Sequence, residues 1–405
     1  MTPSDSRSMD RFAAIFSGVL ISSLGAMFYN LLPLFLGTAQ DYRELSDRAV
    51  GALSSSFYVG FTLATVTAFF WIRRWSWRRV TGLAIPIAAV AMLMAGYVQS
   101  YVLMVTGILI AGGAFSAIYG IGTTLLGDTS QPARWYGLKI ACEAGIGVVM
   151  LLILPGFVIA KWGFEGMMAA MAATLLLLAP FLFWMPSSGT KKEDLPGEGP
   201  SISLLPLVRV SLWLGLAGVM IFLFSTTMIW AFVERMANEA GFDPVATGNV
   251  LSLTLVFAVA GSLLAMLMGE RFGVSKPLSV AGLTLLLSLL LLARVNDLLD
   301  YGLAACVFSF AFGLGIPYVV TAVADLDVDG RYVVLTVPAL GIGIMTAPAV
   351  GGFLTGSFGY RGVLWAGGLA VLTALAFTLS ALRLGLTKAH EMREQAGRKL
   401  QDPIL

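Results

Sequence analysis

Two short basic stretches decide how this chain is organised: Arg73-Arg74-Trp75-Ser76-Trp77-Arg78-Arg79 and Arg271-Phe272-Gly273-Val274-Ser275-Lys276. At an offset of 197 residues Arg74 meets Arg271, Trp75 meets Phe272 and Arg79 meets Lys276. The same offset brings Gly51 onto Gly248, Ala114-Phe115 onto Ala311-Phe312, Thr124 onto Thr321, Asp128 onto Asp325 and Arg134 onto Arg331. One residue of slippage then aligns Trp162-Gly163-Phe164-Glu165-Gly166 with Phe358-Gly359-Tyr360-Arg361-Gly362. In so apolar a chain chance supplies glycine and hydrophobic matches, but it does not readily repeat Arg, Asp and Arg at one offset. The sequence reads as an internal duplication.

What is duplicated follows from composition. Of 405 residues, 58% are hydrophobic and 12% charged, half the charge of a soluble globular domain. Too little polar surface remains to hold the chain in water, and disorder would need the opposite composition. A net charge of +2 lacks the basic face that a nucleic-acid partner requires. Apolar runs longer than 18 residues dominate, so the chain is read as a multi-pass membrane protein surrounded by lipid. Cys142 and Cys306 lie far apart in apolar runs, and the one histidine, His390, sits near the C-terminus. Disulfide frameworks, Cys-x-x-Cys sites and histidine-ligated metals or haem are therefore not expected, nor is a Ser-His triad. Neither a Gly-x-Ser-x-Gly elbow nor a phosphate-binding Gly-rich loop occurs. No cofactor and no metal are expected.

A hydrocarbon core of about 30 Å needs roughly 20 apolar helical residues. Twelve spans are predicted, at 12–36, 49–72, 79–98, 101–126, 135–160, 164–185, 206–232, 246–269, 277–295, 301–324, 332–356 and 360–384. With the N-terminus inside, 19 of the 25 Lys and Arg fall in cytoplasmic segments. The positive-inside rule thus expects both termini in the cytoplasm of a cell whose cytoplasmic (inner) membrane holds the protein. The Gly-, Pro- and charge-rich stretch 186–205 reads as a linker. The expected organisation is a tail (1–11), a six-helix bundle (12–185), the linker, a second bundle (206–384) and a charged, frayed tail (385–405). Each half has an even number of spans, so the repeats insert in parallel, with a substrate site at their interface near the midplane.

Specific residues then point to a family. Glu270-Arg271-Phe272-Gly273 followed by Ser275-Lys276 resembles the acid-Arg-x-Gly loop signature of the major facilitator superfamily. The first-half copy is degenerate, with Arg73 in place of the acid and Ser76 in place of the glycine. Gly343-Ile344-Met345-Thr346-Ala347-Pro348-Ala349-Val350-Gly351-Gly352 is similar to the family's Gly-x-x-x-Gly-Pro-x-x-Gly-Gly motif, here in span eleven and not in span five, where it marks proton-coupled exporters. The resemblance spans about residues 10–385 and implies an all-α fold of two six-helix repeats, a small-molecule substrate and alternating access.

Three sets of side chains become candidates. Arg74, Asp128, Arg134, Glu270, Arg271, Asp325 and Arg331 are expected either to form a cytoplasmic gate of state-dependent ion pairs or simply to set topology and end helices. Glu143, well inside span five, has Lys139 one helical turn earlier. An acid in the membrane costs about 2.5–3.5 kcal/mol on insertion scales and is functional by default. A fixed Glu143–Lys139 pair and a proton-coupling carboxylate both fit. Glu234 forms a stripe with Thr227 and Trp230 and is expected near the outer surface, as a second coupling candidate or an interfacial anchor. Spans one, four, seven and ten line the cavity of the family fold. They and Tyr58 offer Tyr29, Asn30, Ser116, Tyr119, Thr123, Thr226, Thr227, Trp230, Phe308, Phe312, Tyr318 and Thr321.

No Arg or Lys lies near the middle of these four spans, which disfavours anions needing paired charge. The expected protein is a monomeric secondary active transporter, not an enzyme. It would move a small neutral or aromatic/apolar organic solute, with protons as co-substrate. An uncoupled facilitator of the same fold is the alternative, and an intramembrane lipid-modifying enzyme a remoter one.

Overall fold

A computed structural model describes residues 9–129, 132–188, 210–269, 271–326 and 335–401. The helices are α1 (Phe12–Asn30), α2 (Leu32–Arg43), α3 (Asp47–Trp71), α4 (Trp77–Tyr97), α5 (Tyr101–Gly127), α6 (Pro132–Ile153), α7 (Ala160–Leu178), α8 (Val210–Glu239), α9 (Pro244–Met268), α10 (Ser275–Leu292), α11 (Leu298–Leu326) and α12 (Thr336–Gln401). A π-helical stretch, Leu154–Ile159, joins α6 to α7, and a 3₁₀ stretch, Ala179–Trp184, follows α7. Lipid offers no partner to a free N–H or C=O, so apolar runs of this length satisfy their backbone internally, as helix.

Among the described residues ten helical stretches are long and apolar enough to cross a membrane. Two of them, Arg134–Trp184 and Thr336–Gly385, run for 51 and 50 residues, enough to cross twice. Each is broken at a glycine with positive φ, Gly163 (φ 55°) and Gly359 (φ 69°). These are the glycines that the duplication aligns. Dividing both stretches there would give twelve segments, the number expected from the sequence, where ten continuous stretches are observed among the described residues. The duplication also recurs in capping: Ser46 Oγ accepts from the Ala49 amide at 3.3 Å and Asp243 from the Ala246 amide at 2.9 Å, starting α3 and α9 at the 197-residue offset.

Three boundaries differ from expectation. The first span is interrupted only at Leu31, and α2 carries it on to Arg43; Pro33, in its first turn, needs no amide partner there. Helix α8 continues to Glu239, seven residues beyond its expected end. The last helix runs on to Gln401 where a frayed tail is expected after 384. Each extension is polar enough to leave the membrane, and hydropathy, which marks only the buried length, stops short of it. Most of the linker lies outside the described residues.

Within the first half α1 packs on α5 and α6, and α3 and α4 on α5; within the second, α8 and α10 pack on α12, and α9 and α10 on α11. The halves meet through α3 with α12, α6 with α9, and α2 with α8. Two of these seams are paired by the duplication. A β-carbon on Gly51 would lie 2.3 Å from the Pro348 carbonyl oxygen, and one on Gly248 2.7 Å from Pro155 Cγ. Only a hydrogen leaves room for the helices to come so close. On the other side of the first seam, Gly352 meets the Asp47 carbonyl with equal closeness. The Pro348 motif thus packs one half against the other.

Candidate functional site

Between the halves lies a cavity of about 750 Å³. At its inner limit the indole N–H of Trp230 donates to the Tyr29 carbonyl at 3.0 Å, tying α8 to α1. From there it extends past Ser116, Tyr119 and Phe312 towards Ile72, Thr124 and Val337, the end of the bundle that carries Asp128. At the opposite end, where Asp41 lies, α2 packs on α8 and contributes no residue to the lining. A larger groove of about 1000 Å³ runs between α1, α6 and α7, but it is almost wholly apolar and lies within the first half.

Ten of the thirteen residues expected in the cavity line it: Tyr29, Asn30, Tyr58, Ser116, Tyr119, Thr123, Thr226, Trp230, Phe308 and Phe312. Thr227 is buried beside them, outside the lining. Tyr318 and Thr321 point elsewhere. The Tyr318 hydroxyl donates to the Gly269 carbonyl at 2.9 Å, joining α11 to α9, and Thr321 bonds back to the Pro317 carbonyl of its own helix. The lining also includes residues that four spans alone do not supply: Phe57, Phe61 and Thr65 on α3, Ala258 and Ser262 on α9, and Pro338 and Gly341 on α12. Thr65 and Ser116 share a hydroxyl–hydroxyl bond of 2.8 Å. The aromatic run Phe57-Tyr58-x-x-Phe61 is the signal from which the α3 wall was readable.

Glu143 is the one charged side chain on the described cavity wall. Lys139 sits behind it, its ammonium 2.6 Å from the carboxylate, 2.8 Å from the Tyr119 hydroxyl and 4.2 Å from the centre of that ring. The i,i+4 spacing therefore does produce the pair. A third element fixes its place: the Asn30 amide donates to the Glu143 carbonyl at 2.7 Å. Burying both charges is costly, and their contact with one another and with Tyr119 offsets that cost.

Glu234 is not the solvated surface acid that its position in the sequence suggests. With α8 longer than expected, its side chain is 9% exposed and paired with Arg235 at 2.7 Å. Arg235, itself 4% exposed, reaches across the halves to Asp41 on α2 with bonds of 2.6 and 2.9 Å. This Glu234–Arg235–Asp41 cluster joins the halves at the closed end, away from the cavity lining. The polar extensions of α2 and α8 bring it together, and neither was expected to be helix.

The expected gate residues that the structure describes lie at the other end. Asp128 is held by Arg73, with bonds of 2.5 and 2.8 Å, inside the first half. Arg74, another of the expected gate residues, is exposed and makes no ion pair among the described residues. Arg134 lies over the Trp135 ring, its guanidinium carbon 4.9 Å from the centre. Arg271 and Asp325 are exposed at the start of the loop after α9 and in the last turn of α11. Glu270 and Arg331 lie outside the described residues. Arg73, which lies in the turn after α3 and was not among the expected gate residues, supplies the cation for Asp128.

A duplicated helical membrane protein with a closed end, an open end and an aromatic cavity between its halves has the build of a transporter. The family model of the Major Facilitator Superfamily matches residues 15–326 and 215–404, and the chain belongs to that superfamily. It is a multi-pass membrane transporter and not an enzyme. Among solved structures, the nucleoside transporter NupG is 16% identical, with a TM-score of 0.69 over 90% of this chain and 98% of that one. A D-xylose-proton symporter is 13% identical, with a TM-score of 0.71 over 90% and 97%. A bacterial homolog of the human lysosomal transporter Spinster, inward-facing and occupied, is 14% identical, with a TM-score of 0.69 over 91% and 96%. These likenesses establish the fold.

Proposed function

We infer that the protein moves a small organic solute, neutral or with an aromatic or apolar body, across the cytoplasmic membrane, with both termini in the cytoplasm. The two six-helix halves (12–185 and 206–384) rock about the central cavity, and transport is coupled to protons at Glu143. The observation that carries this reading is Glu143 itself: one carboxylate on an otherwise uncharged, aromatic wall, with its counter-charge Lys139 held behind it. A proton moving onto Glu143 frees Lys139 and changes what the wall offers a solute. That is the differential interaction coupling requires. A D-xylose-proton symporter of the same fold supports protons as the co-substrate. Glu234 has its charge committed to Arg235, which also binds Asp41, and stands outside this role.

The Asp128 end closes in the opposite state, when Arg271 and Asp325 of the second half approach Arg74, Asp128 and Arg134 of the first. Reconstituted protein with Glu143→Gln is expected to lose accumulation driven by a pH gradient while keeping solute exchange. Uphill accumulation at the native rate by that variant would remove coupling from Glu143 and leave an uncoupled facilitator. Arg271→Gln and Asp325→Asn are expected to slow flux without lowering expression.

A further inference from the structure

The polar groups of the cavity are unevenly matched. Its two N–H-bearing side chains each make one bond, the Asn30 amide to the Glu143 carbonyl at 2.7 Å and the Trp230 indole to the Tyr29 carbonyl at 3.0 Å, which leaves only the second N–H of Asn30. Lys139 is turned away from the lining, onto Tyr119 and Glu143. The remaining lining is dominated by a carboxylate and ring faces, with hydroxyls that can donate or accept. A carboxylate has about four acceptor sites, and Lys139 occupies one side of it. The hydroxyls of Tyr58 and Thr123, two residues of the lining, have no protein partner among the described residues. An unsatisfied hydroxyl in a native interior calls for a bound group. Around them the aromatic faces carry negative charge density that attracts a cation and repels an anion. An anionic head group would meet a carboxylate and π-faces, with no Lys or Arg on the described lining to pair it. A protonated amine would find a counter-ion, hydroxyl acceptors and rings.

We propose that the solute this cavity takes is an organic cation: an aromatic or apolar body bearing one amine, whose ammonium sits against Glu143 on the side opposite Lys139. The proposal rests on the cavity being the transport site and narrows its guest from organic solutes in general to weak bases. It also makes Lys139 a residue that sets affinity, since Lys139 and the guest share one carboxylate. Removing the lysine charge should tighten amine binding, whereas a purely structural pair would only loosen the protein.

The test uses three probes with one body, 4-phenylbutylamine, 4-phenylbutanol and 4-phenylbutyrate, titrated into purified protein by calorimetry at pH 7.5. The amine is expected to bind at least tenfold more tightly than the alcohol, equivalent to about 1.4 kcal/mol, with the carboxylate weakest. Lys139→Gln should raise amine affinity and leave the alcohol unchanged. Glu143→Gln should bring amine and alcohol together, and Lys139→Gln/Glu143→Gln, which removes both charges at once, does the same if the single variant fails to fold. Equal binding of amine and alcohol by the native protein overturns the cationic guest. If that equal binding is lost in Thr62→Trp, which fills the lining, the cavity still stands as the site. Preference for the carboxylate also overturns the proposal. Amine binding that survives Thr62→Trp, or no binding of any probe, overturns the cavity reading and the proposal with it.

Discussion

Arg235→Met isolates what holds one end of the molecule shut. In the native protein this guanidinium is 4% exposed between Glu234, 9% exposed, and Asp41, 45% exposed. Methionine keeps the aliphatic length but leaves Glu234 buried with no counter-charge. Breaking a buried pair by removing one partner costs about 3–5 kcal/mol. The half-exposed Asp41 contact adds at most about 1 kcal/mol, because solvent screens it. A state open at this end admits water to Glu234, so the cost falls on the closed state. At 1.4 kcal/mol per tenfold, the closed-to-open ratio should fall by about two to four orders of magnitude. Thr38, buried on α2 near the cluster, supplies the reporter. In a background lacking Cys142 and Cys306, Thr38→Cys should react with a maleimide in detergent about a hundredfold faster once Arg235 is methionine. Adding Glu234→Gln removes the orphaned charge, and closure should largely return. The reasoning is refuted by a rate within threefold of the parent, or by a double variant that labels as fast as the single one.

Other contacts give sharper contrasts. A β-carbon at Gly51 meets the Pro348 backbone, whereas one at Gly82 meets nothing within 4 Å. Overpacking a seam costs about 1–3 kcal/mol, so Gly51→Ala should lower the melting temperature or raise Thr38→Cys labelling, and Gly82→Ala should do neither. Asp128 is 5% exposed and its partner Arg73 43%. Arg73→Gln, which strands a buried carboxylate, should therefore destabilise by about 1–2 kcal/mol, after discounting for Arg73's exposure. Asp128→Asn leaves only a solvated arginine and should cost less. Thermal unfolding in detergent that ranks the two the other way would contradict the burial argument.

Much of the fold was readable because membrane helices obey two coarse constraints, length and apolarity, and because duplication doubled each signal. Gly163 and Gly359 were aligned before any backbone was known, and both proved to be the residues that break the two long helices. The Ser46 and Asp243 caps lie at the same offset but differ in residue type, so identity matching passed over them. Hydropathy failed where helices leave the lipid. Residues 37–43 and 233–239 are polar enough to look like loops, yet they are helical and carry Asp41, Glu234 and Arg235. Glu234 was consequently assigned to water when it is buried.

The site divides along a different line. Lys139 and Glu143 lie on one helix, where a four-residue spacing fixes contact whatever the rest of the protein does, and their pair was legible. Contacts between the halves are another matter, because each belongs to only one state of a rocking molecule. The repeat marks the Asp128 end with matched charge, but the ion pair that joins the halves in this conformation is at the Asp41 end, where the repeat carries none. No sequence pattern distinguishes the pairs in use from those in reserve. It follows that weakening the Arg235 cluster and weakening the Arg271–Asp325 end should have opposite effects on Thr38→Cys labelling. The first raises it, and the second lowers it by depriving the alternative state of its closing contacts. Two perturbations that moved the labelling in the same direction would mean that the ends close independently, and that the halves do not rock as bodies.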